Sequence, residues 1–244
     1  MVQNIYDDPG FFAGYSQLRR SREGLDGAPE WPALQALLPD LRGCRVVDLG
    51  CGFGWFCRWA SEHGAAAVLG VDVSENMLAR ATGMTGAAMA IRYRRSALET
   101  LALDDAGIDL VYSSLALHYV DDVAALLAKL QRALVPGGRL VFSVEHPVYM
   151  AAANPGWIAD AAGRKTWPVD GYSVEGPRTT NWLADGVIKY HRTIGSWFAL
   201  LRQQGFAITE LVEWAPTEAQ IAAHPALAEE RERPMLLLIG AERR

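Results

Sequence analysis

A hydrophobic stretch that runs directly into three closely spaced glycines constrains this chain more than any other feature. Residues 46–49 (Val-Val-Asp-Leu) have the character of a buried strand, glycines follow at positions 50, 52 and 54, and a helical pattern starts near Trp55. Glycine permits sharp turns and close approach of a ligand, and a helix N-terminus presents unpaired N–H groups. The segment therefore predicts a strand, a turn and a helix that form a nucleotide-type ligand site.

Asp72 ends a second strand pattern, residues 67–71. In a βαβ unit the two parallel strands are neighbours, so an acid at the tip of the second strand faces the ligand held by the turn after the first. A carboxylate there can accept hydrogen bonds from both hydroxyls of a ribose. A dinucleotide fingerprint would give a similar picture, but it requires glycine where this chain has Trp55, which disfavours a nicotinamide oxidoreductase.

Strand-like and helical patterns alternate from residue 44 onward, which predicts an α/β fold with a parallel, doubly wound sheet. Strands are predicted near 44–49, 67–71, 89–93, 108–113 and 138–144, and helices near 55–63, 75–82 and 122–133. Ser74 is the predicted N-cap of the second of these helices, and 136–138 (Pro-Gly-Gly) the predicted turn before the fifth strand. A helix over 193–204 and strands over 206–212 and 235–239 follow.

Four ordered segments resemble the motifs of class I S-adenosylmethionine-dependent methyltransferases. They are residues 46–54, 68–78, 108–119 and 134–143. The resemblance implies a Rossmann-like, mostly parallel seven-stranded sheet with strand order 3-2-1-4-5-7-6 and an antiparallel last strand. It also implies S-adenosyl-L-methionine as the cofactor and S-adenosyl-L-homocysteine as its product.

One domain over residues 1–244 is expected, because single α/β domains commonly reach about 250 residues. Residues 41–145 form its predicted cofactor-binding core, and 191–244 supply a C-terminal helix and the closing strands. The resemblance implies that residues 1–40 are a helical lid. Residues 146–190, rich in tryptophan, tyrosine and proline, are expected to be an irregular insertion that covers the substrate, since so long a loop is usually functional.

The composition excludes several classes of function. A net charge of −5 lacks the basic footprint of a nucleic-acid-binding protein. No run of about 18 apolar residues indicates a membrane span, and the N-terminus resembles no signal peptide, so a cytoplasmic protein is predicted. The three cysteines and five histidines show no spacing typical of a disulfide framework or a metal site. A monomer or homodimer with a small-molecule partner is expected.

Most of the residues expected to bind the cofactor lie at the tips of the first four strands. Two others lie in the N-terminal segment. By the resemblance, Asp48 organises the turn, and Ser96 stands where the family more often has aspartate, which leaves adenine recognition to the backbone of the two following residues. The full predicted set is Asp48, Gly50, Cys51, Gly52, Asp72, Val73, Met77, Ser96, Ala97, Leu98, Ser113, Leu115, Tyr15 and Arg19.

The predicted catalytic residues follow the fourth and fifth strands. His118 is a candidate proton acceptor because the ordinary pKa of histidine is about 6.5, and Tyr119 is its neighbour. Glu145 and His146 stand at the C-terminal tip of a strand, where open α/β sheets place ligands. A structural role for each remains an alternative.

The sequence thus predicts a methyltransferase that acts on a small molecule. Methyl transfer from a sulfonium is an in-line displacement, so positioning is the protein's main task. A general base is needed only if the nucleophile arrives protonated. A catalytically silent protein of the same fold that binds the cofactor is the alternative.

Overall fold

A central seven-stranded sheet organises the computed structural model, which describes residues 3–87 and 90–244. Its strands are β1 (Arg45–Leu49), β2 (Ala67–Asp72), β3 (Ile91–Arg95), β4 (Ile108–Ser114), β5 (Leu134–Glu145), β10 (Phe206–Trp214) and β11 (Leu236–Arg243). The strands between β5 and β10 form two hairpins outside this sheet and are given below. The order is β3-β2-β1-β4-β5-β11-β10. The first five strands pair in parallel, and β11 is antiparallel to both neighbours. The predicted fold class and strand order are confirmed.

Helices cover both faces of this sheet. They are α1 (Pro9–Gln17), α2 (Arg19–Arg22), α3 (Trp31–Ala36), α4 (Trp55–Glu62), α5 (Glu75–Met84), α6 (Val123–Ala133), α7 (Pro147–Met150), α8 (Ile194–Gln203) and α9 (Glu218–Ala223). On one face, Phe142 of β5 packs in a cluster with Leu127 of α6 and Trp197 of α8. On the other face, Tyr112 of β4 packs in a cluster with Trp31 and Phe56. Two-sided burial explains the apolar runs of the inner strands β1, β2 and β4, whereas the edge strand β3 is partly exposed.

Side-chain caps fix where the helices begin. Ser74 Oγ accepts a hydrogen bond from the Met77 N–H (3.1 Å), as its predicted role as N-cap of α5 requires. Asp122 caps α6 in the same way through the Ala125 N–H (2.9 Å). Such caps satisfy N–H groups that the helix itself leaves without partners.

Two segments differ from the sequence-based prediction. The predicted turn at 136–138 lies inside β5, where the pairing with β4 shifts register between Ile108 and Leu110. Gly137 has a φ of +75°, so the glycine pair lets the strand absorb the irregularity as a bulge instead of ending. The predicted strand near 89–93 is β3 at Ile91–Arg95, and Met89 lies outside the described residues.

The insertion at 146–190 is not irregular, which corrects the prediction. It contains a small hairpin of β6 (Ile158–Ala159) and β7 (Lys165–Thr166) and a longer one of β8 (Gly176–Trp182) and β9 (Ala184–His191). Leu183, at the tip of the longer hairpin, has a φ of +58°. Hairpin turns with positive φ usually contain glycine or asparagine, so the leucine at this position gave no sequence signal for a hairpin.

Within the described residues, no helix has the length and apolarity needed to cross a membrane. The same part of the chain holds no group of three or more His, Cys, Asp or Glu side chains arranged to bind a metal ion.

Candidate active site

The glycine turn after β1 is held in a conformation that only glycine adopts without strain. Gly50 and Gly52 have φ values of +74° and +51°, in the left-handed region. A Cβ on Gly50 would lie 2.4 Å from the Ala116 Cβ. The N–H groups of Gly50 and Cys51 both donate to the Val71 carbonyl of β2, at 2.8 and 3.0 Å. The turn is thereby fastened to the neighbouring strand.

Asp72 stands at the end of β2, beside this turn. Its Oδ2 accepts a hydrogen bond from the Gly52 N–H (2.9 Å), and its Oδ1 accepts one from the Ser74 N–H (2.9 Å). Burial raises the pKa of Asp72 above its ordinary value. Each carboxylate oxygen can accept more than one hydrogen bond, so acceptor capacity remains for hydroxyl groups of a ligand.

A cavity of about 1050 Å³ lies over the C-terminal ends of the parallel strands. Asp48 and Asp72 line it at the tips of β1 and β2, and Ser114 and Glu145 at the tips of β4 and β5. Sites for a drug-sized ligand have volumes of about 300–1,000 Å³. This cavity therefore has room for a large ligand together with a second, smaller one.

Most of the predicted cofactor residues line this cavity. Those that do are Asp48, Gly50, Cys51, Asp72, Val73, Met77, Ser96, Ala97, Leu98, Leu115, Tyr15 and Arg19. Gly52 is not among the lining residues, and its N–H is directed at Asp72. We call the part around residues 50–54 and Asp72 the glycine-turn end.

A further predicted cofactor residue does not line the cavity, and another has a hydrogen-bond partner within the protein. Ser113 is fully buried and its Oγ donates to the Leu49 carbonyl (2.8 Å), so it joins β4 to β1 and does not line the cavity. Arg19 lines the cavity, but its Nε donates to Glu23 (2.6 Å).

Asp48 lines the cavity at the tip of β1, and its side chain is buried. Burial raises the pKa of Asp48 to about 7.

The N-terminal segment is fastened to the glycine-turn end by Asp7. Its Oδ1 accepts hydrogen bonds from Ser74 Oγ (2.5 Å) and the Asn76 N–H (3.1 Å), and its Oδ2 accepts one from the Glu75 N–H (3.2 Å). These donors belong to the start of α5. Partial burial raises the pKa of Asp7, but the hydrogen bonds outweigh it and lower the pKa below its ordinary value.

Replacing Asp7 with alanine is expected to loosen the N-terminal segment, because three donors at the start of α5 lose their acceptor. Loss of capping contacts costs about 0.5–2 kcal/mol, so amide exchange of the first helix should accelerate several-fold. Since the folded pKa of Asp7 is lowered, its contribution is present above about pH 4 and is lost as the pH falls through the folded pKa. Hydrogen exchange measured at pH 7 and at a series of pH values below 4 checks both effects.

Asp8→Ala is the matched control, because Asp8 caps α1 through the Phe11 N–H (2.8 Å). Removing that cap should also speed exchange in α1, but should leave exchange at the start of α5 unchanged. Equal protection at the start of α5 in the Asp7 variant and the parent would contradict the role given to Asp7.

Another part of the cavity is built around four side chains, and we call it the lysine end: His118, Tyr119, Glu145 and Lys189. Glu145 Oε1 accepts a hydrogen bond from Lys189 Nζ, and both side chains are nearly buried. The Tyr119 hydroxyl lies 3.3 Å from that of Tyr6. All of these residues line the cavity. The structure therefore brings Tyr119 and Glu145 together, as their positions after β4 and β5 predict.

His118 lines the cavity, but the tautomer of its neutral ring does not suit a proton acceptor. Its Nδ1 accepts a hydrogen bond from the Glu145 N–H (3.3 Å), so the neutral ring carries its hydrogen on Nε2. Burial lowers the pKa of His118 well below its ordinary value, and the charges of Lys189 and Arg192 lower it further. The predicted role as proton acceptor does not fit this arrangement.

His146 is fully buried outside the residues that line the cavity. Its Nδ1 accepts a hydrogen bond from the Val148 N–H (3.0 Å) and caps α7, and its Nε2 pairs with Glu213 (3.0 Å). Both ring nitrogens thus have partners in the protein. The expected contact of His146 with a substrate is corrected to a structural role at the start of α7.

Sequence reasoning missed two features of the cavity wall. One is Lys189, which lies on β9 with its Nζ 5.2 Å from the centroid of the Trp182 ring. The other is Arg233, whose guanidinium lies between 4.2 and 5.2 Å from the ring centroids of Tyr149, Trp157 and Trp167. Each of these cations meets side chains that are distant in sequence, so no local sequence pattern indicates that it lies in the cavity wall.

Comparison with known proteins decides the family. Residues 47–142 match the family model described as a methyltransferase domain. The crystal structure of an S-adenosylmethionine-dependent methyltransferase from Mesorhizobium loti is 60% identical in sequence, with a TM-score of 0.87, over 90% of this chain and 100% of that one. The chain belongs to the S-adenosylmethionine-dependent methyltransferases. The predicted family and cofactor are confirmed.

Other methyltransferases match the chain over a shorter length. A malonyl-[acyl-carrier protein] O-methyltransferase from Pectobacterium atrosepticum is 34% identical over 51% of this chain and 47% of that protein. A trans-aconitate 2-methyltransferase from Deinococcus radiodurans is 37% identical over 50% of this chain and 48% of that protein. The chain thus spans about half the length of these two relatives.

Proposed function

We propose that this methyltransferase acts on a small molecule held at the lysine end of the cavity, with the cofactor at the glycine-turn end. One observation carries the proposal: a single cavity of about 1050 Å³ joins the two ends. Positioning two reactants next to each other in one cavity turns a bimolecular reaction into an effectively unimolecular one.

The residues at the glycine-turn end fit the cofactor. Asp72 offers a buried carboxylate for the ribose hydroxyls, and Met77 and Leu98 supply apolar surface for an adenine. Tyr15 presents an aromatic ring, whose face attracts cations. The cofactor, when bound, supplies a methyl group on a positively charged sulfonium. The protein's contribution is to hold it and to exclude water.

Residues 1–40 and 146–190 are proposed to cover the two ligands. Gln3 supports this, because its side chain donates to the Gly186 carbonyl (3.1 Å) and accepts from the Ile188 N–H (3.0 Å). The N-terminal segment and the hairpin β8–β9 are thereby linked. Both segments contribute residues to the cavity wall, including Tyr6 and Trp182.

The acceptor is proposed to be selected by these covering segments. The partial relatives named above use different acceptors, a malonyl group on a carrier protein and trans-aconitate, although each aligns with about half of the chain. Similarity over about half of the chain is thus compatible with more than one acceptor. The net charge of −5 further favours a small molecule over nucleic acid.

Calorimetry and a transfer assay with methyl-labelled cofactor test the proposal. We expect the protein to bind S-adenosylmethionine and to transfer label to members of a panel of small carboxylic acids, phenols and amines. Cofactor binding without transfer to any compound would favour a silent cofactor-binding protein. Absence of cofactor binding would contradict the roles given to Asp72 and the glycine turn.

A further inference from the structure

Lys189 is a buried cation with unused hydrogen-bonding capacity. Its side chain is only 4% exposed and lines the cavity. An ammonium has three N–H donors, and among the described residues Nζ forms one hydrogen bond, to Glu145 Oε1. A buried charged group normally uses its donors fully. Lys189 therefore has donors left for a ligand.

The side chains next to Lys189 are also hydrogen-bond donors. His118 offers its Nε2–H, because its Nδ1 accepts from the Glu145 N–H. Burial raises the pKa of Tyr119 and of Tyr6 above the ordinary value, so both phenols keep their hydrogens at neutral pH. Tyr6 donates its hydrogen to the Tyr119 hydroxyl (3.3 Å), which leaves the hydrogen of Tyr119 for a ligand. Glu145, the carboxylate of this group, is already paired with Lys189. A ligand group that meets this set is favoured when it only accepts hydrogen bonds.

We infer that the reacting group of the acceptor is a carboxylate, which Lys189 and His118 hold by charge-assisted and neutral hydrogen bonds. The inference rests on the proposed methyl transfer. A carboxylate matches the unused donors of Lys189 and His118, whereas an ammonium would have to compete with Lys189 for the paired Glu145. The lysine end is then a subsite for a small carboxylic acid.

The chemistry of a carboxylate acceptor also agrees with the protonation of this site. A carboxylate is ionised at neutral pH and attacks the methyl carbon directly. One O–C bond forms and one S–C bond breaks, so the carboxylate and sulfonium charges cancel and give a neutral ester and a neutral thioether. No proton is left over. A phenol or an ammonium would leave a proton that the neutral His118, with hydrogen on Nε2, is not placed to accept.

Binding of malonate and trans-aconitate to the protein loaded with S-adenosylhomocysteine tests the subsite by calorimetry. We expect at least one of the two acids to bind, its amide not to bind, and Lys189→Met to weaken binding about ten- to a hundredfold, as loss of a hydrogen bond to a charged group predicts. Lys189→Arg should restore part of the affinity. The double variant Lys189→Met, Glu145→Gln leaves no unpaired charge at the lysine end, so its loss of acid binding cannot be attributed to misfolding caused by a buried, unpaired Glu145.

Lys165→Met is the matched control, because Lys165 forms an exposed pair with Glu229 outside the cavity. It should bind the acids as the parent does. Binding of S-adenosylhomocysteine should be unchanged in all of these variants. Failure of the parent to bind either acid, or an unchanged affinity in Lys189→Met, would overturn the inference.

The product gives a second readout. Label transferred to a carboxylate should be released as methanol by mild alkali, and the reaction should release no proton per methyl group. Alkali-stable label on a phenol or an amine, with one proton released, would overturn the inference but leave the proposed function intact. No transfer to any compound despite cofactor binding would instead contradict the proposed function.

Discussion

Asp72→Ala is expected to weaken binding of S-adenosylmethionine by about a hundredfold or more. The proposed hydrogen bonds from two ribose hydroxyls to a charged acceptor are worth about 1.5–3 kcal/mol each, and both are lost. The substitution also removes the acceptor of the Gly52 and Ser74 N–H groups, so the turn itself becomes less ordered. Asp72→Asn keeps the shape of the side chain and isolates the effect of its charge. Calorimetric titration of each variant gives the affinities.

Asp109→Ala is a suitable control for a lost carboxylate. Asp109 lies at the start of β4, at the N-terminal end of the parallel strands, whereas the cavity lies at their C-terminal ends. Its Oδ2 accepts hydrogen bonds from Arg45 N (2.8 Å) and Nε (2.9 Å). This variant should bind the cofactor as the parent does. If Asp72→Ala also retains full affinity, the ribose is not held at the tip of β2.

The glycine-turn end could be predicted from the sequence because its parts are local. The glycines and Asp72 follow consecutive strands, and parallel strands joined by a helix bring their tips together whatever the rest of the chain does. The order of the strands in the sheet came from the family resemblance, because the alternation of strands and helices does not specify it. The sequence could not show whether the Ser113 side chain faces the cavity or the backbone of β1, because that depends on the direction in which a single strand residue points.

The lysine end could not be predicted, because its chemistry arises from contacts between distant segments. Lys189 meets Glu145 from a hairpin whose turn has leucine at a positive φ. The tautomer of His118 is set by a backbone N–H on the neighbouring strand, and His146 turns away to cap a helix. A sequence shows that histidines and acids stand near strand tips, but not which nitrogen keeps its hydrogen.

Gly50→Ala is expected to lower the free energy of unfolding by about 2–5 kcal/mol and to abolish cofactor binding. A φ of +74° costs an alanine roughly 1–2 kcal/mol, and the new Cβ would lie 2.4 Å from the Ala116 Cβ, which adds about 1–3 kcal/mol of overpacking. The turn must move to relieve the contact, and it then no longer presents its N–H groups to Val71. Denaturant unfolding and calorimetry with S-adenosylhomocysteine measure the two effects.

Two further variants separate the clash from the backbone strain. Gly43 has a φ of +77° and open space around its Cβ position, so Gly43→Ala should cost only the backbone term and leave cofactor binding intact. The double variant Gly50→Ala, Ala116→Gly removes the clash and should return to nearly the stability of Gly43→Ala. If it binds the cofactor no better than Gly50→Ala, the clash with Ala116 is not what prevents binding, and the left-handed backbone of Gly50 is itself required by the ligand.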